Sequence, residues 1–347
     1  MNTKKPRIEH AQTIALVAGK SGGHIIPALT IAQQYKKKDP NTRLIFFTSQ
    51  THLDYTILSQ YPFITHIPLP ADQKPRFSRS FFKNVYYFLW SFWRSYTILK
   101  QQSVSLVIST GGYVSLPVSI GAYLARVPIA LHELNAVPGI AAVYMAVLCT
   151  EIFVSFETSK KFFPTHKTKA HPYPLKFDKH KLISKDNARE QLSFDLQKKT
   201  VLVLGGSQGS IFLNTLVKDW VCAHPTLHSK IQVIHQTGHL DHNDFSTLYA
   251  QHGITAQVFT YHHAIETYYR AADIVVCRAG AGTLFESLFF EIPIITIPLE
   301  IDSTAHQVNN AQECARAHPE RVTVLRQAQL AKDRSTFDQT MQSKLGL

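Results

Sequence analysis

Six short stretches place small, polar or charged residues where apolar runs stop. They are residues 19–24 (GKSGGH), 110–117 (TGGYVSLP), 132–139 (HELNAVPG), 205–210 (GGSQGS), 277–286 (CRAGAGTLFE) and 306–311 (HQVNNA). The first contains Gly19-Lys20-Ser21, the closing letters of a Walker A phosphate loop. Such a loop also needs a glycine where Ile14 stands, so that backbone N–H groups can wrap the β-phosphate. Ile14 lies inside the apolar run TIALVA (residues 13–18), and an isoleucine within a strand does not make that turn. What remains is a strand, a turn with Gly19, Gly22 and Gly23, and a helix carrying Ile25, Ile26, Leu29 and Ile31. Glycines let backbone approach a ligand, and a helix N-terminus presents unpaired N–H groups with partial positive charge. The pattern favours an anion, most often a phosphate.

The elements that must position these stretches repeat. Strands are predicted at residues 13–18, 43–48 (RLIFFT), 105–110 (SLVIST), 128–132 (PIALH) and 151–155 (EIFVS), with helical stretches between them. From Pro164 the text turns polar and proline-rich (PTHKTKAHPYPLKFDKHKLISKDNARE) and reads as an interdomain linker running into a helix. Alternation resumes at TVLVLGG (residues 200–206) and continues through IQVIHQ, AQVFT, DIVVC and PIITIP. The expected fold is therefore α/β: two Rossmann-like, doubly wound domains facing across a cleft, each opening with strand, glycine turn and helix. The boundaries read as 1–174 and 175–330, with 331–347 as a polar helix that packs back on the first domain. Such a pair suits a reaction between two phosphate-bearing substrates. A dinucleotide dehydrogenase would need an acidic residue closing its second strand. Here those strands run out as Phe46-Phe47-Thr48-Ser49-Gln50 and His235-Gln236-Thr237-Gly238, without a carboxylate.

At 347 residues and 45% hydrophobic content, the chain suits two globular domains. Cys149, Cys222, Cys277 and Cys314 form no CxxC pair, which argues against a zinc ribbon or disulfide framework; three of them lie in apolar or helical-looking stretches, which argues for buried free thiols in a reducing compartment. The polar start MNTKKPRIEH argues against secretion, and no apolar run approaches the roughly 20 residues of a spanning helix. The net charge of +12 is uneven. Between Asp72 and Glu133 there is no acidic residue, while Lys74, Arg76, Arg79, Lys83, Arg94, Lys100 and Arg126 all fall there. Residues 76–96, from Arg76 to Tyr96, add Trp90, Trp93 and many other rings. Basic residues interleaved with aromatics predict a surface that sits on anionic lipid. A plain core helix would explain residues 85–93, which look apolar all round, but not Phe77, Phe81 and Phe82 among cations. Single-stranded nucleic acid is the weaker alternative, because no nucleic-acid motif accompanies the charge.

In order and spacing the six stretches resemble the MurG family of GT-B glycosyltransferases, over nearly the whole chain from about Ala15 to Ala311. The resemblance implies transfer of N-acetylglucosamine (GlcNAc) from UDP-GlcNAc to lipid I, making lipid II for peptidoglycan. It also implies a peripheral place on the cytoplasmic side of the inner membrane, contact with other cell-wall synthesis proteins, and no cofactor or obligatory metal. The donor falls to the second domain, where Glu286 accepts hydrogen bonds from ribose hydroxyls, as a carboxylate does well. Ser207 and Gln208 meet the UDP phosphates and nucleoside, and Lys176 the diphosphate. His262 sits on the uracil-reading loop. His306 and Gln307 contact the GlcNAc hydroxyls, with Asn310 nearby. The acceptor pyrophosphate falls to Gly22, Gly23 and His24 with Gly111, Gly112 and Tyr113, and Asn135 matches an asparagine near the reacting sugar.

Each residue has a plainer reading: a first-turn glutamate complementing a helix dipole, a cap at Ser207, a solvated helix start at His306 and Gln307. Inversion at the sugar implies a single displacement, with a base for the acceptor hydroxyl. His24 is either that base or a residue that only hydrogen-bonds the acceptor phosphate or caps the helix. Three positions depart from the family: Lys20 replaces a glycine, Leu134 an amide, and Tyr173-Pro174-Leu175-Lys176 stands for Asn-Pro-Val-Arg. Lysine is a point charge where arginine grips a diphosphate with two hydrogen bonds, which implies weaker donor affinity. Rival expectations are a UDP-GlcNAc 2-epimerase or other-acceptor enzyme of the same fold, and a non-catalytic homologue that binds UDP-sugar or lipid.

Overall fold

The computed structural model describes residues 12–19, 21–71, 81–206, 208–262, 264–301 and 306–346. Lys20, Ser207, Lys74, Arg76, Phe77 and Arg79 lie outside them. The chain forms two compact units, one of residues 1–134 and 138–174, the other of Asn135–Val137 and Leu175–Leu347.

The first unit runs β1 (Thr13–Val17), α1 (Gly22–Lys38), β2 (Arg43–Thr48), α2 (His52–Leu58), β3 (Ile64–Pro68), α3 (Phe81–Gln101), β4 (Leu106–Ser109), α4 (Ser115–Leu124), β5 (Ile129–Glu133), α5 (Ile140–Met145), β6 (Glu151–Val154) and β7 (Thr168–Ala170). Its strands pair in parallel in the order β3-β2-β1-β4-β5-β6-β7. β1 is buried on both faces, which is why TIALV reads as an unbroken apolar run. Ile14 and Leu16 face one layer with Ile25, Leu29 and Ile31 of α1. Ala15 and Val17 face the other, with Val118 and Ala122 of α4.

The second unit runs α6 (Lys185–Gln191), β8 (Lys199–Leu204), α7 (Ile211–Ala223), β9 (Ile231–Gln236), α8 (Phe245–Gln251), β10 (Ala256–Phe259), α9 (Glu266–Ala271), β11 (Ile274–Cys277), α10 (Ala281–Phe289), β12 (Ile294–Thr296), α11 (His306–Ala317), β13 (Val322–Val324), α12 (Gln327–Leu330) and α13 (Ser335–Leu345). Its parallel order is β10-β9-β8-β11-β12-β13. Both sheets are the doubly wound type expected. In each, the strand order reverses beside the first strand, between β1 and β4 and between β8 and β11, and such switch points are where α/β sheets bind ligands.

Two expectations need correction. The polar stretch after Pro164 is not all linker, since Thr168–Ala170 adds β7 to the first sheet. The final helix belongs to the second unit: Phe337, Met341 and Leu345 are buried in its core, with Phe337 edge-on to Trp220. Its apolar residues recur at i, i+4 and i+8, a stripe that needs a core to cover it. As expected, three of the four cysteines are buried: burial pushes the thiols of Cys149, Cys277 and Cys314 up to about 12, while Cys222 is exposed.

The second correction concerns α3, which is two-faced. Ser91, Ser95 and Leu99 are its buried residues. A side chain at Gly121 of α4 would lie 2.9 Å from Ser95 Oγ and 3.3 Å from the Phe92 carbonyl, so small residues let the two helices approach closely. Trp90, Tyr96 and Ile98 pack at the core margin. Phe82, Tyr86, Leu89 and Trp93 are exposed and recur along one face. Ile140, Val143, Tyr144 and Val147, on and just after α5, are exposed as well.

Candidate functional site

At the switch point of the first sheet, three turns touch. β1 ends into Gly19, and β4 into Thr110, Gly111 and Gly112. Gly112 has φ +89°, and a Cβ there would sit 3.0 Å from the Gly19 carbonyl oxygen; only glycine permits that backbone approach. A Cβ on Gly19 would lie 2.8 Å from Ser49 Oγ, at the end of β2, and Ser49 donates at 2.6 Å to the buried Asp54.

The N-terminus of α1 opens here at Gly22 and Gly23 behind Ser21, whose side chain makes no capping bond. His24, in its first turn, is clamped twice to Thr110. Its Nδ1 lies 2.7 Å from the Thr110 carbonyl oxygen, and Thr110 Oγ1 donates to the His24 carbonyl at 2.8 Å. A carbonyl only accepts, so Nδ1 carries a proton, and whenever the ring is neutral the lone pair falls on Nε2. That is the tautomer a general base requires. Tyr113, partly buried beside Phe88, has its phenol pKa raised by burial. The structure thus brings Gly22, Gly23, His24, Gly111, Gly112 and Tyr113 together at the carboxyl ends of the central strands β1 and β4.

The second switch point repeats the plan. β8 ends into Gly205 and Gly206, and Ser210 caps α7 by accepting from Leu213 N–H at 3.4 Å. Gly209 (φ +83°) and Gly238 (φ +78°) cross with no room for a side chain: a Cβ on Gly209 would fall 2.2 Å from the Thr237 carbonyl oxygen. Asn214, fully buried, holds this crossing by donating to that same carbonyl and to Asp241 at 2.9 Å each. Its oxygen lies 3.1 Å from Nε2 of His235, whose pKa burial pushes down to about 3. Gln208 stands exposed on this turn.

After β11, Arg278 is buried and donates to Ser210 Oγ at 3.0 Å and to the Ile297 carbonyl at 3.0 Å. Burial lowers its pKa to about 10. Its guanidinium therefore ties the cap of α7 to the loop after β12. Glu286, on α10, accepts from the buried hydroxyl of Tyr269 at 2.9 Å. Burial raises the Glu286 pKa, opposed by the charge of Lys176 and by that hydrogen bond. Lys176 is exposed, yet protein packed around its ammonium lowers its pKa, opposed by Glu286 and Glu266.

Gln307 is engaged with backbone, accepting from Leu299 N–H at 3.0 Å, and burial lowers the pKa of His306 beside it. His262 lies against Phe259 and Tyr268, with ring centroids 5.9 and 5.2 Å away. Asn135 belongs with this second unit, although its number falls within residues 1–174. Asn310 donates to Asn135 Oδ1 at 3.2 Å and to the Ala279 carbonyl at 3.3 Å, and accepts from Ala136 N–H at 2.8 Å. Among the described residues no cluster of three His, Cys, Asp or Glu converges as a metal site.

Sequence reading missed the roles of Thr110, Asn214, Tyr269 and Arg278. A charge directly after the apolar strand IVVC was a signal for Arg278; Tyr269, one of two adjacent tyrosines in ETYYRA, carries none.

Residues 14–154 match the glycosyltransferase family 28 N-terminal domain, and residues 200–338 the glycosyltransferase family 28 C-terminal domain. The fold resembles a crystal structure of Acinetobacter baumannii MurG, with TM-score 0.71 at 22% identity over 96% of this chain and 91% of that one. It also resembles a UDP-N-acetylglucosamine 2-epimerase, with TM-score 0.58 at 10% identity over 96% of this chain and 90% of that one. Two doubly wound domains with paired turns at each switch point, matched by both family 28 domains, define a GT-B glycosyltransferase, a hexosyltransferase by reaction class.

Curated relatives narrow this. The UDP-N-acetylglucosamine–N-acetylmuramyl-(pentapeptide) pyrophosphoryl-undecaprenol N-acetylglucosamine transferase of Protochlamydia amoebophila is 30% identical over 85% of this chain and 78% of its own length. The enzyme of the same name from Geobacter metallireducens is 28% identical over 86% and 81%. The chain belongs to this transferase family, the MurG family.

Proposed function

We propose that the enzyme moves GlcNAc from UDP-GlcNAc to the 4-hydroxyl of N-acetylmuramic acid in lipid I, with inversion, forming lipid II. What carries the reading is membership of the transferase family together with His24, held in the tautomer of a base at the first switch point. His24 Nε2 takes the proton of the acceptor hydroxyl as the sugar carbon is attacked. The N-terminus of α1 and the backbone around Gly22, Gly23, Gly111 and Gly112, with Tyr113, cradle the acceptor pyrophosphate.

In the donor unit, Glu286 accepts from the ribose hydroxyls. Gln208 and the start of α7 face the diphosphate as negative charge develops on leaving UDP, with Lys176 adding a cation. Ser207 is assigned to this turn by its sequence position. The backbone near His262 reads the uracil, His306 and Gln307 the GlcNAc hydroxyls, and Asn135, fixed by Asn310, lies near the reacting sugar.

The acceptor is a lipid, and the exposed rings of α3 with the apolar residues of α5 supply a surface for the cytoplasmic leaflet, where the chain sits peripherally. Lys83 lies over the Tyr87 ring and Arg94 over Trp90, cations suited to anionic headgroups. No helix among the described residues is long and apolar enough to cross a membrane.

The test is an assay with labelled UDP-GlcNAc and a short-chain lipid I analogue. Transfer that falls at least a hundredfold in Glu286→Ala supports the proposal. Hydrolysis or epimerisation of the donor without transfer refutes it.

A further inference from the structure

Tyr269 is nearly fully buried on α9, 1% exposed, and its hydroxyl donates to Glu286 Oε2 at 2.9 Å. Its ring has no freedom to swing away. It stacks on Phe290 with centroids 5.1 Å apart and planes at 11°, while Phe177 meets it edge-on at 6.2 Å. Burial raises the phenol pKa well above its ordinary value, so the hydroxyl stays protonated and always donates. Glu286 itself remains partly accessible.

A glutamate side chain on a helix has three rotatable bonds, and Lys176 exerts a competing pull on this one. An ammonium attracts without a preferred direction, whereas a phenol at fixed distance holds one oxygen and with it the carboxylate plane. We propose that Tyr269 is a positioning residue that sets the sugar specificity of the donor nucleoside: it pins Glu286 so that the carboxylate reads a vicinal ribose diol and is not drawn onto Lys176. This rests on Glu286 as the ribose ligand. A diol offers two donors about one carboxylate width apart; a 2′-deoxyribose offers one. A carboxylate held in plane gains from the second donor, and a loose one gains little.

The experiment measures binding of UDP and of 2′-deoxyuridine diphosphate to the full chain by calorimetry, across pH. In Tyr269→Phe the preference for UDP should shrink about tenfold, roughly 1.4 kcal/mol. The acid limb of UDP binding should also move to higher pH, because the lost hydrogen bond was lowering the Glu286 pKa; a merely structural role would not move it. Phe290→Leu, which keeps the hydroxyl but removes the ring stacked on it, should shrink the preference severalfold. An unchanged preference in Tyr269→Phe, with preference lost in Glu286→Gln, overturns the inference and leaves Glu286 as the ribose ligand. Preference retained in both variants removes Glu286 from the ribose and the inference with it. If Tyr269→Phe does not fold, an unchanged preference in Phe290→Leu overturns the inference.

Discussion

Replacing Gly111 with alanine tests whether His24 acts by position. Gly111 has φ +107°, a conformation that costs an L-residue about 1–2 kcal/mol. The new Cβ would also stand 3.0 Å from Cε1 and 3.1 Å from Nδ1 of His24, closer than most real contacts. The imidazole must recede by a few tenths of an ångström, and it is the ring, not backbone, that can move. Receding stretches the 2.7 Å bond from Nδ1 to the Thr110 carbonyl, a bond whose net worth is about 1 kcal/mol. Misplacing a catalytic group by about 1 Å costs on the order of a hundredfold, so this smaller shift should lower kcat about tenfold.

The assay is steady-state transfer to a short-chain lipid I analogue at saturating UDP-GlcNAc, with circular dichroism at the same temperature to confirm the fold. KM for the donor should change less than kcat, because the altered turn is in the first unit, where the acceptor is proposed to bind. His24→Gln, which retains a hydrogen-bond donor but no base, should lose a hundredfold or more. A folded Gly111→Ala enzyme with wild-type kcat would refute the assignment of His24 as a positioned base and leave it a ligand of the acceptor phosphate.

Two further outcomes are expected. Charge reversal at Arg76, Arg79 and Lys83, or Trp93→Glu with Val147→Glu, should weaken binding to anionic vesicles about tenfold or more in flotation assays while soluble-analogue transfer persists; unchanged binding would make α3 and α5 ordinary surface. Stability should fall on acidification because His132 is buried against Phe153, its pKa pushed down to about 4 by burial and by His171. The folded pKa is depressed, so its contribution is full above the unfolded value near 6.5 and is lost as pH falls toward 4, by roughly 3 kcal/mol. His132→Phe should flatten that part of the urea-midpoint profile, and an unaltered profile would show that the ring takes up its proton at the same pH folded and unfolded.

The fold was largely legible because parallel strands buried on both faces are continuous apolar runs. TIALV, RLIFFT, VLVL and IVVC announce themselves. The three strands that went unread, Ile64–Pro68, Thr168–Ala170 and Val322–Val324, all lie at sheet edges. An edge strand pairs on one side only and tolerates His66, Pro68 or Lys169, so its text looks like loop.

The glycine turns were legible for a related reason, since a positive φ or a backbone crossing leaves few choices of residue. Sequence by itself thus determined two doubly wound domains and the turns that open them, and the order of its motifs pointed to the transferase family. Only the tertiary structure brought Thr110 onto both ends of His24 and set its tautomer, and only there does Tyr269 meet Glu286 from a different helix. It also gathered Asn135 with Asn310 and sent the final helix into the core of the second unit. Each joins residues far apart in the chain through a directional hydrogen bond or a shared core, and neither leaves a period or a spacing for the sequence to show.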